Sequence, residues 1–216
     1  MRWTLRIPVL LAGVSIMASC TESVGPAREG ALPDAPLFSL SATGITLNKQ
    51  ILSFGQSGTL LIKGFNPISP DTGDAVIATF AWVGPPGIID SVVDVMTTGP
   101  YTHVQGNPYT LVKEVSAGGI TMATYVATNI QNFPSGQPEP VVYAVAAYLR
   151  QSVPDAGVRL SSWKGVENDF GRALGSGVGL ARSASGNGTT PTAASAGSLT
   201  VNSGGLVYGV SVATPL

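Results

Sequence analysis

The chain has one cysteine and one histidine among its 216 residues. A single cysteine cannot form a disulfide within the chain, so a folded domain must be held by apolar burial and backbone hydrogen bonds. Zinc sites draw on several Cys or His ligands, which this chain lacks. The composition therefore predicts neither a disulfide scaffold nor a zinc centre, and we expect no cofactor.

Charge is also scarce, because only 11% of the residues are charged and the formal net charge is −1. Nucleic-acid binders carry a basic patch or stripe, so a nucleic-acid partner is not expected. Hydrophobic residues make up 44% of the chain, which is too many for a disordered protein. The 27 Gly and 16 Pro instead indicate a packed fold with many turns.

One long apolar run is present, at residues 7–17. Arg2 and Arg6 precede it, and the small residues Ala18 and Ser19 follow it. A basic head, an apolar stretch and small residues at the end form the pattern of a secretion signal. The run is about half the ~20 residues that a membrane-spanning helix needs, so cleavage is predicted rather than a permanent span.

The signal ends in Met-Ala-Ser-Cys at residues 17–20, which resembles the lipobox of bacterial lipoproteins. Met17 stands where leucine is more usual. The resemblance implies that Cys20 becomes the lipid-modified first residue of an exported protein, anchored to the bacterial cell envelope. Thr21 in place of aspartate implies the outer membrane, if the host has one. An ordinary signal peptide cleaved near Cys20 remains the alternative.

Three segments follow from this interpretation. Residues 1–19 are the signal peptide, and residues 20–40 are the lipid anchor and a flexible tether, rich in Gly, Pro and charge. Residues 41–216 form a single β-sandwich domain. After removal of residues 1–19, nine basic residues face twelve acidic ones, for a net charge of −3.

The domain is predicted from short apolar or alternating runs that turn residues separate. The run 75–83 has period two, the runs 109–116 and 120–128 form a hairpin around Gly118 and Gly119, and 141–150 is apolar on both faces. Strand is favoured over helix for 141–150. Further strands are predicted at 45–52, 58–63, 88–96, 158–164, 178–183, 198–202 and 206–213.

Nine or ten short strands without a convincing helix predict an all-β fold, an antiparallel sandwich. Jelly-roll and immunoglobulin-like topologies both fit the spacing. The segments GNPYTLVKEVSAGGITMATYVATNI, VVYAVAAYLR, SSWKGVENDF and TTPTAASAGSLTVNSGGLVYGVSV resemble an uncharacterised sandwich module of secreted bacterial proteins, over roughly residues 74–213. The resemblance implies no catalytic residue. Because such modules continue further, the chain is expected to be a shorter variant or C-terminally truncated at Leu216.

Two sets of side chains are candidates for binding. The rings of Trp163, Tyr143 and Tyr148 could stack on sugars, although aromatic residues at period two are also typical of a core. Four carboxylates are candidate calcium ligands, but calcium needs six to eight converging oxygens and Asp in turns usually caps the backbone. These carboxylates are Asp71, Asp74, Asp90 and Asp94.

The sequence therefore predicts a non-enzymatic structural or interaction module, anchored in the membrane through the lipid on Cys20. Its expected partners are a polysaccharide or another surface protein. A carbohydrate-binding module on the cell surface is the first alternative. A hydrolase with an unrecognised site, which would use His103 or paired carboxylates, is the second.

Overall fold

The part of the chain that the computed structural model describes contains seven antiparallel β-strands and one helical turn. The structure describes residues 44–98, 101–138, 140–173 and 205–212. This confirms the predicted all-β, antiparallel fold. The elements are β1 (Thr46–Gly64), β2 (Ala75–Val83), β3 (Ile89–Thr98), β4 (Tyr101–Val104), β5 (Thr110–Ala117), β6 (Ile120–Ala127), β7 (Val141–Lys164) and α1 (Phe170–Ala173).

Two long strands, β1 and β7, take part in two layers of the sheet. The first half of β7 pairs with β3 and with the second half of β1. The second half of β7 pairs with β2 and with the first half of β1. We define layer A as β4, β3, residues 141–150 of β7 and residues 58–64 of β1. Layer B is β5, β6, β2, residues 156–164 of β7 and residues 46–53 of β1. The fold is a sandwich whose layers share their long strands.

The passage of β1 from one layer to the other occurs at glycines. Its register with β7 shifts repeatedly between Ser53 and Leu60. Gly55 and Gly58 have φ angles of 69° and 104°, a backbone region that residues with a Cβ rarely adopt. On β7 the corresponding stretch contains Pro154, which lacks an N–H and is tolerated where a ladder is interrupted. The glycines and the proline therefore lie where continuous strands change layers.

The prediction of separate short strands is wrong at these two places. The runs 45–52 and 58–63 belong to one strand, β1, and the runs 141–150 and 158–164 belong to one strand, β7. The strand β4 was not predicted. By contrast, β2 has the predicted bounds.

The last predicted strands have a different outcome. Residues 205–212, which contain most of the predicted strand 206–213, carry no strand. The predicted strands 178–183 and 198–202 lie outside the described residues. The hairpin of β5 and β6 is confirmed, with Gly118 and Gly119 at the turn at φ of 60° and 81°.

The core lies between the inner faces of the two layers. Trp82 and Phe80 of β2, Tyr143 and Leu160 of β7 and Leu61 of β1 are fully buried in one apolar cluster. Each such side chain contributes about 1.5–3 kcal/mol through burial. Within the described residues, no helix has the length and hydropathy of a membrane span.

The outer face of layer B is overlaid by residues 205–212. The hydroxyl of Tyr208 lies 3.2 Å from Oγ1 of Thr79 on β2, and the Arg159 guanidinium lies 6.0 Å from the centre of the Tyr208 ring. Ile77 and Ala81, which alternate outward with Thr79, are only 8% exposed. Layer B is thus buried on both faces of its central strand.

Candidate functional site

The carboxylate of Asp94 on β3 is fully buried, at 0% exposure. Its register partner is Val145 on β7, so it points into the core between the layers. Oδ1 accepts hydrogen bonds from the backbone N–H groups of Gly106 at 3.1 Å and Asn107 at 3.2 Å. Oδ2 accepts from Nδ2 of Asn107 at 2.5 Å and from the hydroxyl of Tyr143 at 2.6 Å. Four donors therefore compensate its burial.

Two tyrosine hydroxyls extend this network. Because the Tyr143 hydroxyl donates to Asp94, it accepts from the hydroxyl of Tyr109 at 3.1 Å. Burial of the hydroxyl ends raises the pKa of Tyr109 and of Tyr143 above the ordinary 10.0. Phe133 and Phe65 pack against the Tyr143 ring, with centroids 4.5 Å and 6.3 Å away. Hydrogen bonds therefore hold the Tyr143 hydroxyl, and aromatic contacts hold its ring.

Asn107 connects this network to the loop after β6. Its Oδ1 accepts from the backbone N–H of Gln131 at 2.7 Å, and its Nδ2 donates to the Gln131 carbonyl at 2.9 Å. Asn132, at a positive φ of 71°, donates from Nδ2 to the Gln105 carbonyl at 2.9 Å. One carboxylate and one amide thus join β3 to two loops, and we call these groups the Asp94 clasp (Asp94, Asn107, Tyr109 and Tyr143).

The Asp94 clasp contains the chemical groups of an acid–base site, but a substrate cannot reach them. A general base must reach a proton of the substrate within about 3 Å. Both oxygens of Asp94 already accept two donors, and the residue is closed to solvent. The arrangement therefore stabilises the fold.

A second polar cluster lies where β1 meets the loop before β2. Asn48 donates from Nδ2 to Asp74 at 2.6 Å and to Asp71 at 3.2 Å. Lys164 on β7 places Nζ 2.5 Å from Oδ2 of Asp71. The hydrogen bond from Lys164 is the largest influence that lowers the pKa of Asp71, and Asp71 in turn raises the pKa of Lys164. This cluster attaches the loop to the margins of β1 and β7.

The four candidate calcium ligands are thereby distributed over three places. Asp71 and Asp74 share the cluster around Asn48, and Asp94 belongs to the clasp. Asp90 forms an exposed ion pair with Arg150 at 3.4 Å. Among the described residues, no three His, Cys, Asp or Glu side chains come together as metal ligands would. Oδ2 of Asp71 already accepts from Asn48 and pairs with the Lys164 ammonium.

A groove of about 250 Å³ lies beside this cluster. Its wall mixes polar groups such as Asn48, Lys49 and Gln50 with apolar Ile51 and Ile68. The polar groups are already engaged in part, because Asn48 binds the two aspartates and Oε1 of Gln50 accepts from Arg159 at 3.1 Å. The groove offers space to a small ligand but few free hydrogen-bonding groups.

The structure separates the three aromatic residues that were candidates for stacking on sugars. Tyr143 is 0% exposed and belongs to the clasp, so its ring is not accessible. Tyr148 is 46% exposed on the outer face of layer A. Trp163 is half-buried in layer B, where its indole N–H donates to Oγ of Ser161 at 2.9 Å. The three rings do not form one platform.

The proposed lipid attachment residue, Cys20, and Met17 lie outside the described residues. His103 is exposed on β4, opposite Met96. Sequence reasoning did not identify the clasp, because Asp94 and Tyr143 are 49 positions apart. One signal was available: Asp94 interrupts the apolar run of residues 92–96, and a buried acid requires donors. Comparison with protein-family models and with curated proteins gives no match.

Proposed function

We propose that this protein is an exported, lipid-anchored bacterial surface protein whose β-sandwich is a non-enzymatic structural or interaction module. The Met-Ala-Ser-Cys ending at Cys20 supports the anchor. The observation that carries the module's role is the Asp94 clasp. The described chain's best set of acid–base groups is bonded internally and buried, as in a structural network.

The anchor is tested by mass spectrometry of the mature N-terminal peptide from the full chain expressed in a bacterial host. We expect a peptide that begins at Cys20 and carries lipid on the thiol and the amine. Cys20→Ser should abolish the modification and release the protein from the membrane fraction, since several acyl chains are needed for stable anchoring. Ser23→Ala, three residues away, is the control that should stay lipidated. An unmodified Cys20 would contradict the anchor.

Carbohydrate binding is the second candidate function, and the exposed ring of Tyr148 favours it. A pull-down of the full chain against insoluble and soluble polysaccharides tests it. Saturable binding that Tyr148→Ala or Trp163→Ala removes, without a lower melting temperature, would make the protein a glycan-binding lipoprotein. Tyr109→Phe, which alters a hydroxyl in the clasp, is the control that should leave such binding unchanged.

A further inference from the structure

Strand β1 has one free edge in the described sheet, because it pairs with β7 alone. Just after β1, the Phe65 N–H still donates to a β7 carbonyl. Successive residues of an antiparallel strand direct their backbone groups to opposite edges, so those of Leu60, Ile62 and Gly64 point to the free edge. Leu60 and Ile62 are 42% and 40% exposed, so this edge lies at the surface. Such an edge is a template for pairing with another strand.

The side chain of Gln56 occupies this edge at its central residue, Ile62. Oε1 accepts from the Ile62 N–H at 3.0 Å, and Nε2 donates to the Ile62 carbonyl at 2.9 Å. These are the two hydrogen bonds that a neighbouring strand would make with one residue. Nε2 also donates to Oγ of Ser53 at 2.6 Å. We call this amide, with its bonds to Ile62, the Gln56 guard.

The bend of β1 places the guard. Ile62 lies six positions after Gln56, which an extended strand would put about 20 Å away. Gly55 and Gly58 flank Gln56 at positive φ angles, and no atom lies within 4 Å of the place where either would carry a Cβ. The backbone conformation, rather than packing, therefore requires these glycines. The bend that takes β1 from one layer to the other also returns Gln56 to the edge of its own strand.

We propose that the Gln56 guard keeps the free edge of β1 from pairing with the β1 edge of a second copy of this chain. An incoming strand would lie about 4.8 Å from β1, in the place that the amide occupies, and would have to break both bonds to Ile62. At 19 residues, β1 far exceeds the ~5–6 residues of a typical strand, so its unprotected edge would be an extensive template.

The register identifies the second copy as the strand that the guard excludes. Two-fold pairing centred on Ile62 places that residue opposite its own copy, Leu60 opposite Gly64 and Leu61 opposite Lys63. Like charges directly opposite each other destabilise a sheet, and this pairing contains none. Leu60 would also pack over a residue without a side chain. The free edge is therefore complementary to itself, and the guard acts independently of the lipid anchor.

Thiol crosslinking of the full chain in a whole bacterial lysate tests the proposal. Ile62→Cys is the reporter, because it leaves the backbone groups that bind the guard in place. With a short bismaleimide we expect Gln56→Ala to raise the covalent homodimer of this reporter about tenfold, since two hydrogen bonds no longer have to be broken. Leu52→Cys, on the same strand in layer B at 44% exposure, is the control reporter that Gln56→Ala should not change. Cys20 is common to all variants.

Two further substitutions separate the guard from a merely stabilising contact. Ser53→Ala removes the third hydrogen bond of Gln56 but leaves both bonds to Ile62, so the Ile62→Cys homodimer should stay at its low level. In the Gln56→Ala background, Leu60→Lys should return the homodimer to that level, because a lysine on an edge strand opposes pairing. Leu52→Lys should not.

The proposal is overturned if Gln56→Ala leaves the Ile62→Cys homodimer unchanged or raises the Leu52→Cys homodimer equally. A product with a different protein, or a homodimer that survives Leu60→Lys, would overturn it as well. Thermal melting by circular dichroism shows whether each variant is folded. If Gln56→Ala is not, Gln56→Met replaces it, because methionine keeps the length of the side chain without the amide.

Discussion

The outer faces of the two layers differ although both layers are built on the same long strands. Layer B has Arg159 and Thr79 on its outer face, and Tyr208 from residues 205–212 lies against both. Layer A has Tyr148 and Ile62 on the corresponding face, exposed by 46% and 40%. Polar groups on one outer face thus bind another part of the chain, whereas the other face presents exposed apolar side chains beside the buried Val95, Ala144 and Ala146.

The difference shows that alternation within a strand does not determine which faces of a sheet are covered. On β2 every second residue points away from the core, yet Ile77 and Ala81 are buried. Their cover includes Tyr208, which is 129 positions from its hydrogen-bond partner Thr79. A second buried face therefore depends on distant segments. Mutations in the two layers separate three contributions to the free energy of unfolding: the Asp94 clasp, the packing of Tyr208 on layer B, and the ionisation of the buried tyrosines.

The largest effect is expected from Asp94→Ala, which removes the clasp beneath layer A. The donors of Tyr143 and Asn107 would remain buried without an acceptor, at a cost of about 3–5 kcal/mol in the free energy of unfolding. Urea denaturation measures this loss. Asp90→Ala, an exposed ion-pair residue on the same strand, should cost less than about 1 kcal/mol. Equal losses for the two variants would contradict the assignment of the clasp.

A smaller effect is expected from Tyr208→Ala, which makes the outer face of layer B resemble that of layer A. The substitution removes a half-buried ring and its hydrogen bond to Thr79, so we expect a loss of about 2 kcal/mol. Binding of an apolar fluorescent dye should increase at the same time. Val207→Ala, at a neighbouring residue that is 56% exposed, should change neither value. An unchanged melting temperature for Tyr208→Ala would contradict a stabilising role for Tyr208 on the outer face of layer B.

The smallest effect depends on pH. Burial raises the pKa of Tyr143 and of Tyr109 above 10.0, so both stay protonated in the folded chain after they begin to ionise in the unfolded one. Stability is therefore full below about pH 10 and falls as the pH rises further, by about 1.4 kcal/mol per pH unit for each such tyrosine. Tyr109→Phe should reduce the slope of this decline by about 1.4 kcal/mol per pH unit. Urea denaturation at a series of alkaline pH values measures the slope. An identical slope would show that its hydroxyl is not enclosed.

The sequence was sufficient to predict the fold class and β2, because period two and the flanking prolines act locally. It was not sufficient for β1 and β7. Gly55, Gly58 and Pro154 resemble chain breaks, but here they bend strands whose partners lie about a hundred residues away. The difference between a turn and a bend depends on the partner strand, which a single run of residues does not contain.

The aromatic candidates show a signal that the sequence did contain. Tyr143 and Tyr148 are five positions apart, an odd number, so a regular strand must place them on opposite faces. The structure does so, with Tyr143 in the clasp and Tyr148 on the outer face of layer A. Trp163 has the same parity as Tyr143 but points outward, because the bend near Pro154 changes the phase of β7. That phase change follows only from the tertiary structure.

The pairing of β1 with β7 also governs when the chain can fold. Gly64 pairs with Ala144 and Thr46 pairs with Lys164, so the partners of the first strand in the described sheet lie 80 to 118 residues further along the chain. Contacts of such sequence separation form slowly, because loop closure must precede them. In that interval the apolar side chains of β1 are exposed in a nascent chain that is open to chaperones or to aggregation. Although β1 is the first strand to be synthesised, it therefore gains its partner only after β7 has been made.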